Sequence, residues 1–465
     1  MKITFSKKFP PPVSGAIYVS FVEAEQDEVM REEGVLTLKL GMGKKGEFTL
    51  RKFPLLVRKA VSIAKNHKAT KMIFSFPPAI PKNLKISNEM LAETAAFNLN
   101  LANYKFVKCR TEPKEGWGFI DEIIMAGKVS AKVKKSFEKG EEIGRAVNAT
   151  RDMANTPGGD MTPKVLADAA KKVAQGTKVS VKILDKKEME KLGMGAVLGV
   201  AKGSTEEPKF IVLEYWGGKK GDAPIVLVGK GVTFDSGGVN IKTGDHMLGM
   251  NMDMSGGAAV IQTTALLARL GTKKNVVALV PAVENMPSGS SYRPGDVLKS
   301  MSGKTIEIRN TDAEGRVILA DALTYAVRYK PKVVIDVATL TGAAIVALGE
   351  RASALFTKSD KLAEALTEAG EETNEYIWRL PLWDEYEADI KGEVGDVTNT
   401  HNKNSRSGEA INGATFLYQF AKNHSWDWAH LDIAPRMESI PEDNLATGAL
   451  GTPVRLLTKF IESWK

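Results

Sequence analysis

The heptapeptide NTDAEGR, residues 310–316, is the stretch that says most about what this chain folds into and does. It contains two carboxylates two residues apart, Asp312 and Glu314, and a guanidinium at Arg316. In an extended backbone, side chains two residues apart project from the same side, so all three charged groups are expected to point one way. Two carboxylates beside a fixed positive charge are a compact arrangement for a divalent cation. The heptapeptide therefore predicts a metal site.

A second charged cluster lies upstream, after an apolar run at residues 225–228 that predicts a buried strand. The glycine-rich turn and the loop behind it supply four charged side chains: Lys230, Asp235, Lys242 and Asp253. Loops that leave the carboxyl ends of strands in an open α/β sheet are where such folds place their ligand sites. The two clusters are therefore expected to converge on one site.

A strand that feeds a glycine-rich turn is also typical of phosphate-binding loops. The P-loop pattern fails here, because Pro224 stands where its first glycine would be and no Ser or Thr follows Lys230. The dinucleotide pattern G-x-G-x-x-G fails as well, because Phe234 stands where the third glycine would be. The residues favour a metal site over a phosphate site.

Taken together, these segments resemble the leucyl aminopeptidase family, the two-metal cytosol aminopeptidases, whose signature is NTDAEGR. The resemblance covers most of residues 150–465. It rests on five segments in the expected order: GKGVTFDSGG at 229–238, SYRPGDV at 291–297, NTDAEGR at 310–316, DVATLTGA at 336–343 and WAHLDIA at 428–434. It implies a metal-dependent aminopeptidase that hydrolyses the first peptide bond of an unblocked peptide.

The resemblance assigns five ligands to two divalent ions. Asp235 and Glu314 would bridge the two ions. Asp312 would bind one ion, and Lys230 and Asp253 would bind the other. The charges agree independently, because two divalent cations neutralise four carboxylates that would otherwise repel one another. A lysine coordinates only as the neutral amine, so the pKa of Lys230 is expected to fall when metal binds.

The same resemblance assigns the catalytic roles. A hydroxide bridging the two metal ions would attack the peptide carbonyl. Lys242, which is not a ligand, would contact the substrate and stabilise the oxyanion of the tetrahedral intermediate. Arg316 cannot accept a proton, because its guanidinium stays charged. In the family its counterpart holds a bicarbonate ion, and that anion is the general base.

A substrate pocket is also implied by the resemblance, formed by Met250, Thr339, Leu340, Gly342 and Ala434, with Asn310 contacting the substrate backbone. A pocket with methionine in its floor is apolar and adaptable, which suits leucine and other apolar side chains. After Ala434 the chain continues Pro435-Arg436-Met437, where the family more often has smaller apolar residues.

The ligand set does not select one metal. Oxygen ligands with one amine and no imidazole favour Zn or Mn, and Mg or Co would also fit. The zinc-protease motif H-E-x-x-H is absent from the sequence, as is the G-x-S-x-G motif of serine hydrolases. The chemistry expected is therefore that of an oxygen-ligated metal peptidase.

The composition is that of a large globular enzyme, with 465 residues, 43% of them hydrophobic and 26% charged. The amino-terminal stretch has no apolar region typical of a secretory signal, and no run approaches the roughly 18 apolar residues of a membrane span. The single cysteine, Cys109, excludes an intrachain disulfide and is typical of a reducing compartment. We expect a cytoplasmic protein. The family resemblance implies a homohexamer.

The predicted fold is α/β with two domains. Residues 1–150 are expected to form a smaller α/β domain. A linker helix at 130–155 is expected to bridge to the second domain. Residues 151–465 are expected to form a larger α/β/α catalytic domain around a central mixed sheet. Strands are predicted at 16–22, 35–40, 71–76, 179–184, 210–215, 225–228, 276–280 and 333–337. Helices are predicted at 53–65, 88–98, 257–270 and 317–329.

The positive charge is concentrated in the first domain. Residues 1–150 contain 26 Lys and Arg against 16 Asp and Glu, a net charge of +10, whereas the remainder carries −2. Scattered lysines usually form a solvated surface. The alternative is a nucleic-acid-binding protein that uses this basic domain, with or without peptidase activity, although no nucleic-acid motif accompanies the charge.

Overall fold

The structure, a computed structural model, describes residues 1–44, 47–78, 86–403 and 405–465. The chain forms two compact units. The first comprises Met1–Asn148 and Ser439–Gly448, and the second comprises Ala149–Glu438 and Ala449–Lys465. Among the described residues, no helix has both the length and the apolar composition that a membrane crossing requires.

The first unit contains a six-stranded sheet. Its strands are β1 (Lys2–Ser6), β2 (Ala16–Val22), β3 (Glu28–Glu32), β4 (Val35–Gly41), β5 (Lys71–Ser75) and β6 (Glu122–Ala126). They lie in the order β1-β6-β5-β2-β4-β3, and all neighbours are parallel except β3 and β4. The helices are α1 (Lys52–Asn66), α2 (Asn88–Asn103) and α3 (Ala131–Asn155), and α3 continues into the second unit.

The predicted strands of this unit are confirmed, and β2 shows the alternation of buried apolar residues on which its prediction rested. Along β2, Ile17, Val19 and Phe21 are buried in one core, which also contains Val57 and Val61 of α1. The edge strand β3 was not predicted, because its sequence EVMRE is mostly charged and exposed and carries no apolar alternation. Charged edge strands of this kind resist pairing with other chains.

The second unit is larger. Its strands are β7 (Val179–Leu184), β8 (Lys209–Trp216), β9 (Ile225–Gly229), β10 (Gly231–Asp235), β11 (Asn275–Asn285), β12 (Val297–Lys299), β13 (Thr305–Glu307), β14 (Val333–Ala338), β15 (Ser353–Phe356), β16 (Ile377–Arg379), β17 (Val397–Thr398) and β18 (Asp427–Asp432). Its further helices are α4 (Pro163–Ala174), α5 (Lys186–Leu192), α6 (Gly195–Ala201), α7 (Ser255–Leu270), α8 (Glu314–Ala326), α9 (Gly342–Leu348), α10 (Asp360–Thr373), α11 (Glu409–Ala421) and α12 (Val454–Ser463).

A nine-stranded mixed sheet forms the centre of this unit, in the order β16-β15-β18-β14-β9-β11-β8-β7, with β10 paired to β11. The strands β18, β14, β9 and β11 are parallel, whereas β15, β8 and β7 each run antiparallel to a neighbour. A second small sheet contains β12, β13 and β17. The predicted central mixed sheet is confirmed.

The two faces of the central sheet are covered by different helices. In β9, Ile225 and Leu227 belong to one core, which includes residues of α4, α7, α10 and α12. Val226 and Val228 belong to the other core, which includes residues of α6, α8 and α11. A strand buried on both faces reads as an uninterrupted apolar run, as residues 225–228 do. The predicted α/β/α layering is therefore confirmed.

A buried carboxylate, Asp321 of α8, connects that helix to its neighbours. It accepts hydrogen bonds from the backbone N–H groups of Met301 (2.7 Å), Ala196 (3.0 Å) and Val197 (2.9 Å). Burial raises the pKa of Asp321 to about 7, although the three hydrogen bonds act to lower it. Asp321 therefore joins α8 to the start of α6 and to the loop before β13.

The substitution Asp321→Asn is expected to lower the free energy of unfolding by about 2 kcal/mol, because the amide N–H₂ faces at least one buried N–H donor. Thermal unfolding followed by circular dichroism measures the effect. Asp384→Asn is the control, since Asp384 is an exposed carboxylate that forms an ion pair with Lys358. Loss of this exposed pair is expected to change the melting temperature much less. Equal melting temperatures for Asp321→Asn and the wild-type protein would contradict the structural role.

Candidate metal centre

The loops at the carboxyl ends of the central strands bring the predicted ligands together. Asp235 is the last residue of β10, Glu314 is the first residue of α8, and Asp312 lies in the turn just before it. One carboxylate oxygen from each of these three residues lies within 4.8 Å of the other two. This spacing suits a cation held between them. Asp253 follows a short 3-10 helix, Met250–Met252.

Two lysines lie among these carboxylates. The Nζ atom of Lys230 is 2.8 Å from Asp253 Oδ1 and 2.8 Å from Glu314 Oε1. The Nζ atom of Lys242 is 2.8 Å from an oxygen of Asp235. The same Nζ atom is 2.5 Å from Asp312 Oδ1. Together with the spacing of the three carboxylates, these contacts join four carboxylates and two lysines into one cluster. With all six groups charged, the cluster has a net charge of −2.

Burial and mutual repulsion shift the pKa values in this cluster. Burial lowers the pKa of Lys230, but the charges of Asp253 and Glu314 outweigh that effect and raise it above its ordinary value. Burial and the charges of Asp235 and Glu314 raise the pKa of Asp312 to about 7, against the opposing effect of a nearby lysine. The raised pKa of Asp312 shows that burial and repulsion among the carboxylates outweigh the stabilising effect of the nearby ammonium group.

The residues fit divalent cations. Asp253 Oδ2 is a buried carboxylate oxygen that finds no hydrogen-bond partner among the described residues, so an acceptor is available inside the site. The donor set of carboxylate oxygens and one amine suits borderline and hard divalent ions. In the protein alone the carboxylates favour the ammonium form of Lys230. Its coordination as a neutral amine would require cations to replace that ammonium as the partner of the carboxylates.

The expectation that the NTDAEGR heptapeptide is extended was wrong. Its residues 311 and 312 form a turn, and α8 begins at Glu314, three residues before the predicted helix start. Side chains two positions apart in a helix point in nearly opposite directions, so Glu314 and Arg316 do not share a side. A helix start is favourable for Glu314, because a negative side chain interacts well with the positive end of the helix dipole.

The small residue Gly315 allows α8 to approach the other cluster. A Cβ atom on Gly315 would lie 2.6 Å from Cε and 2.7 Å from Nζ of Lys230. Any larger side chain would therefore displace the Lys230 ammonium group. Glycine is therefore required at position 315 so that α8 can lie against the side chain of Lys230.

Arg316 carries a buried guanidinium group. It is 2% exposed, and its Nε finds no hydrogen-bond partner among the described residues. Burial lowers the pKa of Arg316, and the charges of Glu409, Glu314 and Asp432 oppose that shift without any of them forming an ion pair with the guanidinium in the described part of the chain. A buried guanidinium in this state is suited to binding a small anion.

Two of the residues predicted to contact the substrate, Thr339 and Asn310, form hydrogen bonds with the cluster. Thr339 is in direct contact with it, since its Oγ1 donates to Asp253 Oδ1 (2.6 Å) and its carbonyl oxygen accepts from Lys230 Nζ (3.1 Å). Asn310 also contacts the cluster, because its Oδ1 accepts from the backbone N–H of Asp312 (2.8 Å).

The other pocket residues are placed by secondary structure. Leu340 follows Thr339, Gly342 is the first residue of α9, and Ala434 is the first residue of a short 3-10 helix, Ala434–Arg436. Met250 begins the 3-10 helix that leads to Asp253, and it is half-buried. The lining of a pocket by these residues stays a prediction.

Several residues that support the site were missed by the sequence analysis. Asn285, at the end of β11, donates from Nδ2 to Asp235 Oδ1 (2.8 Å) and to the carbonyl oxygen of Thr311 (3.0 Å). The hydroxyl of Tyr292 donates to the same carbonyl oxygen (2.7 Å). A polar residue ending the apolar run of β11 was the signal that would have indicated Asn285.

Asn399 holds the backbone of the first part of the NTDAEGR heptapeptide and of the residue before it. Its Oδ1 accepts from the backbone N–H groups of Arg309 (2.8 Å) and Asn310 (3.4 Å). Its Nδ2 donates to the carbonyl oxygens of Asn310 (2.6 Å) and Ala313 (3.2 Å). Asn399 is fully buried, so its amide replaces water as the partner of these backbone groups.

The substitution Asn399→Ala is expected to lower the free energy of unfolding by about 3 kcal/mol, because it leaves buried backbone groups without partners. The loop that carries Asp312 loses its support, so metal affinity is expected to fall as well. Thermal unfolding and metal titration measure the two effects. Asn402→Ala is the matched control, because Asn402 bonds the carbonyl oxygens of Ala388 and Lys391 instead. Equal metal affinity for Asn399→Ala and the wild-type protein would contradict the supporting role.

Comparisons with known proteins confirm the family resemblance. Residues 148–458 match the model of the cytosol aminopeptidase family, catalytic domain. A "Probable cytosol aminopeptidase" from Ralstonia pickettii (strain 12J) is 42% identical over 430 residues, which are 91% of this chain and 84% of that protein. Another from Roseiflexus castenholzii (strain DSM 13941 / HLO8) is 41% identical over 456 residues, 95% of this chain and 91% of that protein.

A solved structure shares the fold. The bottromycin maturation enzyme BotP in complex with Mn has a TM-score of 0.87 and 30% sequence identity, and the match covers 97% of this chain and 99% of that chain. None of the matches named here supports the nucleic-acid alternative. Since the family model covers most of the chain and the metal-ligand cluster lies within it, this chain belongs to the cytosol aminopeptidase family and is a metal-dependent aminopeptidase.

Proposed function

We propose that this enzyme removes the N-terminal residue, preferably leucine or another apolar residue, from unblocked peptides at a two-metal centre. The observation that carries the proposal is the convergence of carboxylate oxygens from Asp235, Asp312 and Glu314 within 4.8 Å of one another. The ion pairs of Lys230 with Asp253 and Glu314 join the remaining two ligands to the same cluster. Asp235 and Glu314 are proposed to bridge the ions.

Zn or Mn is proposed as the native metal, because a donor set of carboxylate oxygens and one amine suits both ions. The similar BotP structure is a complex with Mn. When bound, a pair of divalent ions would activate a water molecule for attack and polarise the substrate carbonyl. The free α-amino group of the substrate would bind at the same centre, which accounts for selectivity for unblocked peptides.

Lys242 and Arg316 are the proposed catalytic residues. Lys242 is 14% exposed at its side chain and lies against Asp235 and Asp312, so its ammonium group can reach both the cluster and an entering substrate. It is proposed to stabilise the oxyanion that forms on the carbonyl. Arg316 is proposed to hold bicarbonate as the general base. Its support is the buried guanidinium that has no ion-pair partner in the described part of the chain.

The substrate side chain is proposed to bind between Met250, Thr339, Leu340, Gly342 and Ala434. Support comes from Thr339, which is bonded both to Asp253 and to Lys230 and so begins a wall of the pocket beside the metal centre. Asn310, whose side chain accepts from the N–H of Asp312, is proposed to contact the substrate backbone.

The domain boundary, assembly and location are also proposals. We assign peptidase activity to residues 151–465, because every proposed ligand lies there. A cytoplasmic location is supported by the single cysteine, which suits a reducing compartment, and by the name of the relatives. A homohexamer is proposed from the family resemblance, and light scattering of the purified protein tests it.

Hydrolysis of leucine p-nitroanilide and of its N-acetylated analogue tests the function. We expect cleavage of the free-amine substrate alone, loss of that activity after chelation, and its return with added Mn or Zn. We expect this because a metal ion held by the carboxylate cluster would bind the free α-amino group of the substrate. Cleavage of the acetylated substrate, or activity that persists in metal-free protein, would refute the proposal.

A further inference from the structure

Asp432, at the carboxyl end of β18, is a fully buried carboxylate that no step of the proposed reaction uses. Its Oδ1 accepts from the backbone N–H groups of Leu340 (3.0 Å) and Ala434 (3.1 Å). Its Oδ2 accepts from the hydroxyl of Thr341 (2.7 Å). Two of these donors belong to residues proposed to line the substrate pocket, and they come from two separate segments of the chain.

The first segment, residues 339–348, is held at its start by two threonines. Thr339 contacts the metal centre through Asp253 and Lys230. Thr341 is the N-cap of α9, because its Oγ1 accepts from the N–H of Ala344 (3.2 Å). The bond from Thr341 to Asp432 therefore sets where α9 begins relative to the metal ligands.

The second segment is the short 3-10 helix Ala434–Arg436, which packs against α9. Its first N–H bonds the same carboxylate oxygen that receives the N–H of Leu340. A carboxylate oxygen accepts two hydrogen bonds at well-defined angles, so one atom fixes the separation of the two segments.

We propose that Asp432 is a positioning residue that determines side-chain selectivity, by holding the two walls of the substrate pocket at the spacing a leucine side chain fills. This inference rests on the proposed function, in which those walls contain Leu340 and Ala434. Selectivity among apolar side chains depends on fit at the level of single methylene groups, so a small change in wall separation changes it. Among the described residues, Asp432 forms no hydrogen bond with a proposed metal ligand, so metal binding is expected to survive its substitution.

Asp432→Ala tests this inference through kcat and KM for the p-nitroanilides of leucine and alanine, with metal content measured on the same samples. The preference for leucine over alanine is expected to fall by about 10-fold, mainly through a higher KM for the leucine substrate, with metal content unchanged. Asp432→Asn is expected to keep most of the preference. Its amide oxygen can accept both backbone N–H groups, and its nitrogen can donate to the Thr341 hydroxyl.

Asp321→Asn is the matched control, since Asp321 is another buried carboxylate that accepts three hydrogen bonds, but none of its donors belongs to a residue proposed to line the pocket. It is expected to lower stability without altering the preference for leucine. If Asp432→Ala does not fold, Thr341→Val gives the same measurement, because it removes only the bond to Oδ2 and the cap of α9.

The outcomes distinguish a failure of the positioning role of Asp432 from a failure of the proposed peptidase function. A leucine-to-alanine preference that is unchanged in folded Asp432→Ala or Thr341→Val overturns the positioning role. A preference altered equally by Asp321→Asn also overturns it, because the effect then follows from lost stability. Wild-type protein that cleaves neither substrate refutes the proposed function itself, and the pocket inference falls with it.

Discussion

Glu314→Gln is expected to lower kcat/KM for leucine p-nitroanilide by on the order of 10³-fold or more and to remove bound metal at the same time. Glu314 is 1% exposed, and its Oε1 is 2.8 Å from Lys230 Nζ. Its carboxylate also lies within 4.8 Å of those of Asp235 and Asp312. A neutral amide keeps the shape of the side chain but removes the charge that would be shared between two cations.

Metal content after dialysis, measured by elemental analysis alongside the kinetics, checks this expectation. The matched control is Asp360→Asn, because Asp360 is likewise an acidic residue at the first position of a helix, α10, but is exposed and paired with Arg379. The control is expected to keep its metal and its activity. Two full equivalents of metal in Glu314→Gln would contradict the bridging role.

Lys242→Met is expected to lower kcat by about 10²–10³-fold while the metal content stays that of the wild-type protein. The ammonium group of Lys242 lies 2.8 Å from Asp235 and 2.5 Å from Asp312, at the border of the cluster. A methionine of similar length fills the same space but offers no positive charge to an oxyanion. The cations can still neutralise the carboxylates, so the loss is expected in the reaction step.

The kinetic pattern distinguishes the roles open to Lys242. A fall in kcat with little change in KM indicates stabilisation that exists only in the transition state, whereas a rise in KM alone indicates ground-state binding. Lys422→Met is the matched control, since Lys422 forms a comparable ion pair with Glu387 at 2.8 Å outside the cluster. Loss of metal in Lys242→Met would show that the lysine holds the site together, and it would contradict the catalytic role.

The convergence of three carboxylates could be predicted from the sequence, because it depends on residue types in short segments. Asp312 and Glu314 are two residues apart, and a third carboxylate, Asp235, ends the short strand β10, which follows the apolar run of β9. Such local patterns survive folding, and the structure does bring these three groups together. The helical start at Glu314 was missed, because the pattern of two carboxylates was interpreted as extended backbone.

Asn285, Asn399 and Asp432 could not be assigned roles from sequence, because each acts on residues far away in the chain. Asn399 supports backbone about 90 positions before it, and Asp432 does the same for Leu340. Buried amides and carboxylates of this kind are common in cores, and only their actual partners reveal what they support.

The sequence by itself indicated the family, the three converging carboxylates and the long buried strands, since all three depend on residue chemistry and local periodicity. Only the tertiary structure decided how those pieces are held. The register of the central sheet pairs Ala338 of β14 with Asp432 of β18. That pairing places the carboxylate beside the loop that begins at Thr339. Register between strands so distant in sequence comes from packing of the whole sheet, and this is why the support of the site became visible only in three dimensions.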